Sequence, residues 1–178
     1  MNTYILLLRG INVGGHRKIK MAALKTLLAT LHLEDIKTYI QSGNVVFRSA
    51  EKADVLQVAI ERSIATHFGF EVKTHIIDLV KLKEIYTQNP FVSRSEDINK
   101  LYCTFLFDNP EPDKMETLKA VEAKDDEFID RDNILYFCYH NGYGKAKIAN
   151  PFIEQKLKVY ATTRNWKTMT KLLEMASG

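Results

Sequence analysis

The stretch Gly10 to Arg17, GINVGGHR, sets two glycines at the spacing of a Walker A loop, between an apolar run and an amphipathic one. That chemistry needs a lysine to reach the β- and γ-phosphates and a hydroxyl to bind magnesium, and His16 and Arg17 stand in those places. The dinucleotide pattern G-x-G-x-x-G is also absent, so neither nucleotide-binding fold is expected. What survives is more general. Arg9, Lys18 and Lys20, with His16 and Arg17, surround the start of a helix that has no Ser, Thr, Asp or Asn directly before it. Gly14-Gly15 lets a ligand approach the backbone, and Asn12 can donate or accept. The combination suits an anion; the alternative is a basic surface turn whose N–H groups are met by water.

Two other stretches offer comparable groups. YIQSGNVVF, Tyr39 to Phe47, sets Gln41, Ser42 and Asn44 around a glycine at a hairpin tip, as many hairpins do. ATTRNWKTMTKL, Ala161 to Leu172, places Thr162, Thr163 and Asn165 at a helix start with Arg164 in the turn, which suits either an anion or ordinary capping. Between them YGKAK adds Tyr143, Lys145 and Lys147 to a loop. Catalytic patterns are otherwise missing. There is no His-Glu-x-x-His, no Gly-x-Ser-x-Gly and no clustering of Cys with His, and the histidines at 16, 32, 67, 75 and 140 lack ligand spacing, so no metal or cofactor is expected. Asp125-Asp126 and Asp130 with Asp132 fall in loops and turns, where carboxylates are usually just solvated.

These groups depend on the elements that hold them. Thr3 to Leu8 is an apolar run without helical period, a buried central strand. Met21, Leu24, Leu27, Leu28 and Leu31 predict a helix over 20–31; Ile36 to Gln41 and Asn44 to Arg48 flank Ser42-Gly43 as a hairpin. Asp54 is placed to cap a helix striped by Leu56, Ile60, Ile64 and Phe68, and Glu71 to Ile77 alternates as a strand. After a short helix over 78–86 and a polar stretch, Asn89 to Lys100, the order repeats. Leu101 to Phe107 is a strand, Pro112 opens a helix, Glu127 to Ile129 and Ile134 to His140 flank a turn, Asn150 caps a helix, and Val159 to Thr162 is a short strand. A last helix over 165–176 buries Trp166. The expectation is an α+β protein of two tandem ferredoxin-like (βαββαβ) subdomains with a C-terminal helix. Residues 1–78 and 101–178 form the subdomains and 79–100 the connection.

Composition excludes several classes. At 46% hydrophobic and 26% charged, the chain reads as globular rather than disordered, and no apolar run approaches the roughly 18 residues of a membrane span. Met1 to Leu8 lacks the form of a signal peptide, which points to the cytoplasm. Cys103 and Cys138 lie in strand-like runs and read as buried thiols. Net charge is +3, but residues 1–25 carry +5 and residues 133–178 another +5, leaving −7 in the middle. If the two ends meet, they build one basic face. An RNA-recognition module is disfavoured because QSGNVVFR supplies only Phe47 as a stacking aromatic, although backbone binding through a basic patch needs none.

The segments LLRGINVGG, KMAAL, TYIQSGNVVF and TTRNWKTMTKL closely resemble the signature of the bacterial domain-of-unknown-function family 1697 (DUF1697), over nearly the whole chain. The matched polar positions are Arg9, Asn12, Gly14, Gly15, Lys20, Gln41, Ser42, Gly43, Asn44, Arg164, Asn165 and Trp166. The resemblance implies two ferredoxin-like subdomains and no known activity. The functional expectation is a small protein that binds a phosphate-bearing metabolite, a nucleotide or a nucleic-acid backbone. Its site would be a basic cleft lined by Arg9, Asn12, Gly14, Gly15, Lys18, Lys20, Gln41, Ser42, Asn44, Lys145, Arg164 and Asn165. The alternatives are an enzyme acting in the same cleft through Ser42, Tyr143 or Lys145, and a partner-binding module.

Overall fold

A computed structural model describes all residues, 1–178. It is a mixed α+β structure with two four-stranded antiparallel sheets, and the chain divides into two compact units, Met1–Glu84 with Lys171–Gly178, and Ile85–Thr170. No helix is long and apolar enough to cross a membrane.

In the first unit, β1 (Asn2–Leu8) is central because its aliphatic run suits burial on both faces: Ile5 to Leu8 are fully buried. It pairs with β3 (Asn44–Ser49) on one side and β4 (Thr74–Asp78) on the other, with β2 (Glu34–Tyr39) at the edge beyond β3, giving the order β2-β3-β1-β4. Tyr4, Leu6, Leu8, Val45, Phe47 and Ile76 share one face and pack against α1 (Met21–Ala29) and α2 (Ala53–Phe68). The stripes expected from spacing do that packing, Met21, Leu24 and Leu28 from α1 and Leu56, Ile60 and Ile64 from α2. Each fully buried Leu or Ile contributes about 2 kcal/mol. Asp54 does not cap α2: Lys52 holds that position without a side-chain bond, and Asp54 lies in the first turn accepting from the neighbouring Val55 N–H.

The second unit repeats the order with β5 (Leu101–Leu106), α5 (Pro112–Lys119), β6 (Glu127–Arg131), β7 (Ile134–Cys138), α6 (Asn150–Leu157) and β8 (Ala161–Asn165), in the sheet order β6-β7-β5-β8. Leu106, Leu118, Leu135, Phe137, Tyr139, Ile153 and Leu157 form its core. Helix α3 (Leu79–Thr87) carries the boundary between the units, and α7 (Trp166–Ser177) carries the return. The polar stretch 89–100 holds α4 (Pro90–Ser93) and a 3-10 turn at Ile98–Lys100. Two local expectations are corrected. Asn150 lies inside α6, where its side chain donates to Ala161 O at 3.0 Å and accepts from Thr163 Oγ1 at 2.9 Å instead of capping. The last strand is displaced toward the C-terminus, so Arg164 lies in β8, paired with Cys103 of β5, and not in a turn.

Candidate functional site

The glycine-rich stretch is a miniature hairpin. Gly14 and Gly15 both have positive φ, +58° and +78°, the geometry of a type I′ turn, and His16 N–H donates to Val13 O at 3.0 Å. Asn12 N–H donates to Arg17 O at 3.2 Å, closing the next rung. The Asn12 side chain then ties the hairpin down. Its Oδ1 accepts from Ile19 N–H at 2.9 Å, and its Nδ2 donates to Ile19 O at 2.9 Å and Gln41 O at 2.7 Å. Ile11 and Ile19 are buried on either side of the loop, so the segment between them is anchored at both ends. His16, Arg17, Lys18 and Lys20 are left exposed, and none of the four forms an ion pair. Lys20 precedes α1 with no side-chain cap.

Gly43 braces the same region. Its φ is +82°, and a Cβ there would lie 2.6 Å from Leu8 Cβ and 2.9 Å from Ile11 Cδ1, so no other residue fits. Asn44 is buried, its Nδ2 donating to Tyr39 O at 3.0 Å and Ser42 Oγ at 2.9 Å. Arg9 is half-buried beside Gly10, its N–H donating to Lys73 O at 2.9 Å. Within the first unit, therefore, Asn12, Gln41, Ser42 and Asn44 are brought together, but Asn12, Ser42 and Asn44 serve the loop's own architecture. Gln41, Gly14, Gly15, Lys18 and Lys20 face solvent.

Lys145, Arg164 and Asn165 belong to the second unit. Arg164 is buried, and its Nη1 donates to Thr162 Oγ1 at 2.7 Å and Thr163 O at 2.9 Å; burial pushes the guanidinium pKa down to about 10, still cationic at neutral pH. Asn165 Oδ1 accepts from Thr168 N–H at 2.8 Å, closing the first turn of α7. Lys145 is exposed in a 3-10 turn, Tyr143–Lys145, whose Tyr143 hydroxyl accepts from Asn150 N–H at 3.2 Å and whose ring stacks on Tyr102.

The second unit also holds a cluster that sequence reasoning passed over. Cys138 ends β7 and His140 follows two residues later, with Cys138 Sγ 4.0 Å from His140 Nδ1. Glu127 lies directly across the β6–β7 ladder from Cys138 and meets His140 Nε2 at 3.3 Å. Arg94 grips Glu127 with two bonds, 3.0 and 3.1 Å, and reaches Glu96 at 3.2 Å. The Arg94 bond holds the Glu127 carboxyl below the usual range, whereas burial pushes the Cys138 thiol up to about 11. Glu96, Cys138 and His140 each offer a ligating atom, and the three atoms lie within 4.8 Å of one another. The expectation that Cys and His do not cluster is thus overturned. The only local signal was the spacing of Cys138 and His140 two residues apart at the end of a strand-like run, a pattern too common to single out.

The family profile described as "Protein of unknown function (DUF1697)" matches residues 1–136. The chain belongs to the DUF1697 family. Nine of the twelve candidate site residues, Arg9 through Asn44, fall inside the match, and Lys145, Arg164 and Asn165 fall outside it. A solved structure, that of the conserved bacterial protein SP0830 from Streptococcus pneumoniae, is similar to this DUF1697 chain at 29% identity with a TM-score of 0.79, covering 98% of each chain. No curated protein matches.

Proposed function

We propose that this DUF1697 protein binds an anionic, phosphate-bearing ligand at the Gly10–Lys20 hairpin of its first unit. The observation that carries the reading is the company of Arg17, Lys18 and Lys20: three exposed cations without ion pairs, on a loop braced from beneath by Asn12. Most basic side chains that a surface loop carries are solvated and mobile. Here the backbone that bears them is held at Ile11, Ile19 and Gln41, so less conformational entropy is lost when a ligand docks. No acidic residue occurs before Glu34, which keeps the local potential positive. The α1 start, uncapped by any side chain, adds backbone N–H groups of favourable sign beside Lys20.

The ligand class is a phosphorylated metabolite, a nucleotide or a nucleic-acid backbone, and the setting is the cytoplasm, where two buried free thiols are stable. We also read both units as ferredoxin-like subdomains, with strands drawn from 1–78 and 101–178. The matching element orders and the matching strand orders, β2-β3-β1-β4 and β6-β7-β5-β8, support this.

The test is thermal stability of the full chain against inorganic phosphate, nucleotides, short RNA and short DNA, at low and moderate salt. A ligand at about 100 times its Kd adds roughly 2.7 kcal/mol and several degrees in Tm. The shift should disappear in the triple variant Arg17→Ala, Lys18→Ala, Lys20→Ala, whose unliganded Tm should match wild type because these side chains bond to nothing in the fold. A shift of equal size in the triple variant, or none with any probe, refutes the reading.

A further inference from the structure

We infer that the second unit holds a zinc(II)-binding site built from Glu96, Cys138 and His140, with Glu127 as the residue that orients the histidine. It is independent of the anion site. The ligands come from separate pieces of a well-braced frame. Cys138 is fixed by its ladder pairings to Leu101 and Glu127, and His140, in the turn just past β7, sets its Nδ1 4.0 Å from Cys138 Sγ. Glu96 is delivered by the turn after α4. Asn89 Oδ1 caps that helix at Phe91 N–H, Phe91 is buried under the Arg94 guanidinium, and Glu96 N–H donates back to Phe91 O at 3.2 Å.

The donor atoms lie within 4.8 Å of one another, and Sγ and Nδ1 are 4.0 Å apart. Zinc bonds of about 2.0–2.3 Å in a tetrahedron hold donors roughly 3.3–3.8 Å apart, so small side-chain rotations close the shell. The histidine is already oriented for ligation, because Glu127 faces Nε2 at 3.3 Å and takes its N–H, which presents the Nδ1 lone pair toward Cys138. Arg94 bonds Oε1 of Glu96, at 3.2 Å, which leaves Oε2 available to a metal. A thiolate and an imidazole select zinc over magnesium or calcium. One thiolate and two carboxylates offset the dication and the Arg94 guanidinium, with the Lys100 ammonium nearby favouring the thiolate. On binding, the Cys138 S–H proton is released to solvent as the sulfur–zinc bond forms, and water completes the fourth position.

The experiment uses the full chain, stripped with chelator and dialysed, then titrated with Zn²⁺ alone and with Co²⁺ alone as a spectroscopic reporter. Wild type should bind one equivalent and show a thiolate-to-cobalt charge-transfer band. Cys138→Ser should abolish the band, His140→Ala should weaken affinity at least a hundredfold, Glu127→Gln should weaken it 10–100-fold, and Cys103→Ser should leave both unchanged. Because Cys138 is buried, its variant can lose stability on that ground alone, so His140→Ala, at a partly exposed position, is the independent arm, with a thermal melt confirming its fold. Absence of the band in wild type overturns the inference, as does wild-type affinity in either Cys138→Ser or His140→Ala.

Discussion

The side-chain amide of Asn12 pairs with the backbone of Ile19 as one strand residue pairs with another, accepting from its N–H at 2.9 Å and donating to its carbonyl at 2.9 Å. A third bond, from the same Nδ2 to Gln41 O at 2.7 Å, fastens this pseudo-ladder to the β2–β3 connection. The backbone at Asn12 is left-handed, φ +55°, a conformation asparagine tolerates better than most residues. One side chain thus decides whether the cationic hairpin is a rigid platform or a loose loop. Asn12→Ala strands one N–H and two carbonyls and should cost about 2–3 kcal/mol in urea unfolding. A loss under about 0.5 kcal/mol would mean that the backbone rungs alone hold the hairpin.

Gly43 is constrained twice, by its φ of +82° and by the 2.6 Å approach its Cβ would make to Leu8. Since Leu8 is fully buried at the end of β1 and its N–H donates to Gly43 O at 2.8 Å, neither side can yield cheaply. Gly43→Ala should destabilise by about 2–4 kcal/mol, the sum of left-handed strain and overpacking. Gly15→Ala, with open space around its Cβ, should cost only the strain, about 1–2 kcal/mol. Paired denaturation curves would separate the two causes.

Asn150 ties α6 to β8 through Ala161 O and Thr163 Oγ1, and Thr163 continues to Thr104 Oγ1 at 2.7 Å. Asn150→Ala breaks the chain of bonds at its centre and should cost about 2 kcal/mol. In a double-mutant cycle with Thr163→Val, the effects should be clearly non-additive; additive losses would show the network to be energetically inert.

Acid should loosen the Glu127 region. Arg94 lowers the Glu127 pKa below its ordinary 4.5, so the interaction stabilises fully above that value and is lost as pH falls through the depressed folded pKa. The Tm difference between wild type and Glu127→Gln should shrink steadily as pH falls below about 4. A difference that persists undiminished at pH 3 would exclude the carboxylate as its origin.

Both thiols should be silent in the native protein. Burial raises the Cys138 pKa to about 11 and that of Cys103 further still. Metal-free protein at pH 8 should therefore react with a thiol reagent at least on the order of 10²-fold more slowly than the denatured chain, which exposes both cysteines. Fast labelling of one native thiol would place Cys138 in a more open setting than the sheet provides.

Much of the fold was legible in the residues. The unbroken aliphatic run of β1 and the leucine and isoleucine stripes of α1 and α2 are local patterns, and each appears in the structure with shifted ends. The errors concern partners. Asp54 and Asn150 have the chemistry of caps, but what each bonds depends on where neighbouring backbone lies. Arg164 follows a strand-like run that is too short to declare its own limits, and pairing with β5 carries the strand through Asn165.

Residue order alone specified the repeated alternation of strands and helices, the uneven placement of charge and the cationic character of the Gly10–Lys20 loop. Each of these is a property of residue type and of spacing within a few positions, because apolar burial follows local periodicity. It took the folded chain to commit the Asn12 amide to Ile19 and Gln41, and to bury Arg164. Folding likewise set Glu96 beside Cys138 and His140. Ladder register and loop return bring together groups tens of residues apart, and a hydrogen bond or a shared ligand point depends on ångström-scale placement that no local pattern encodes.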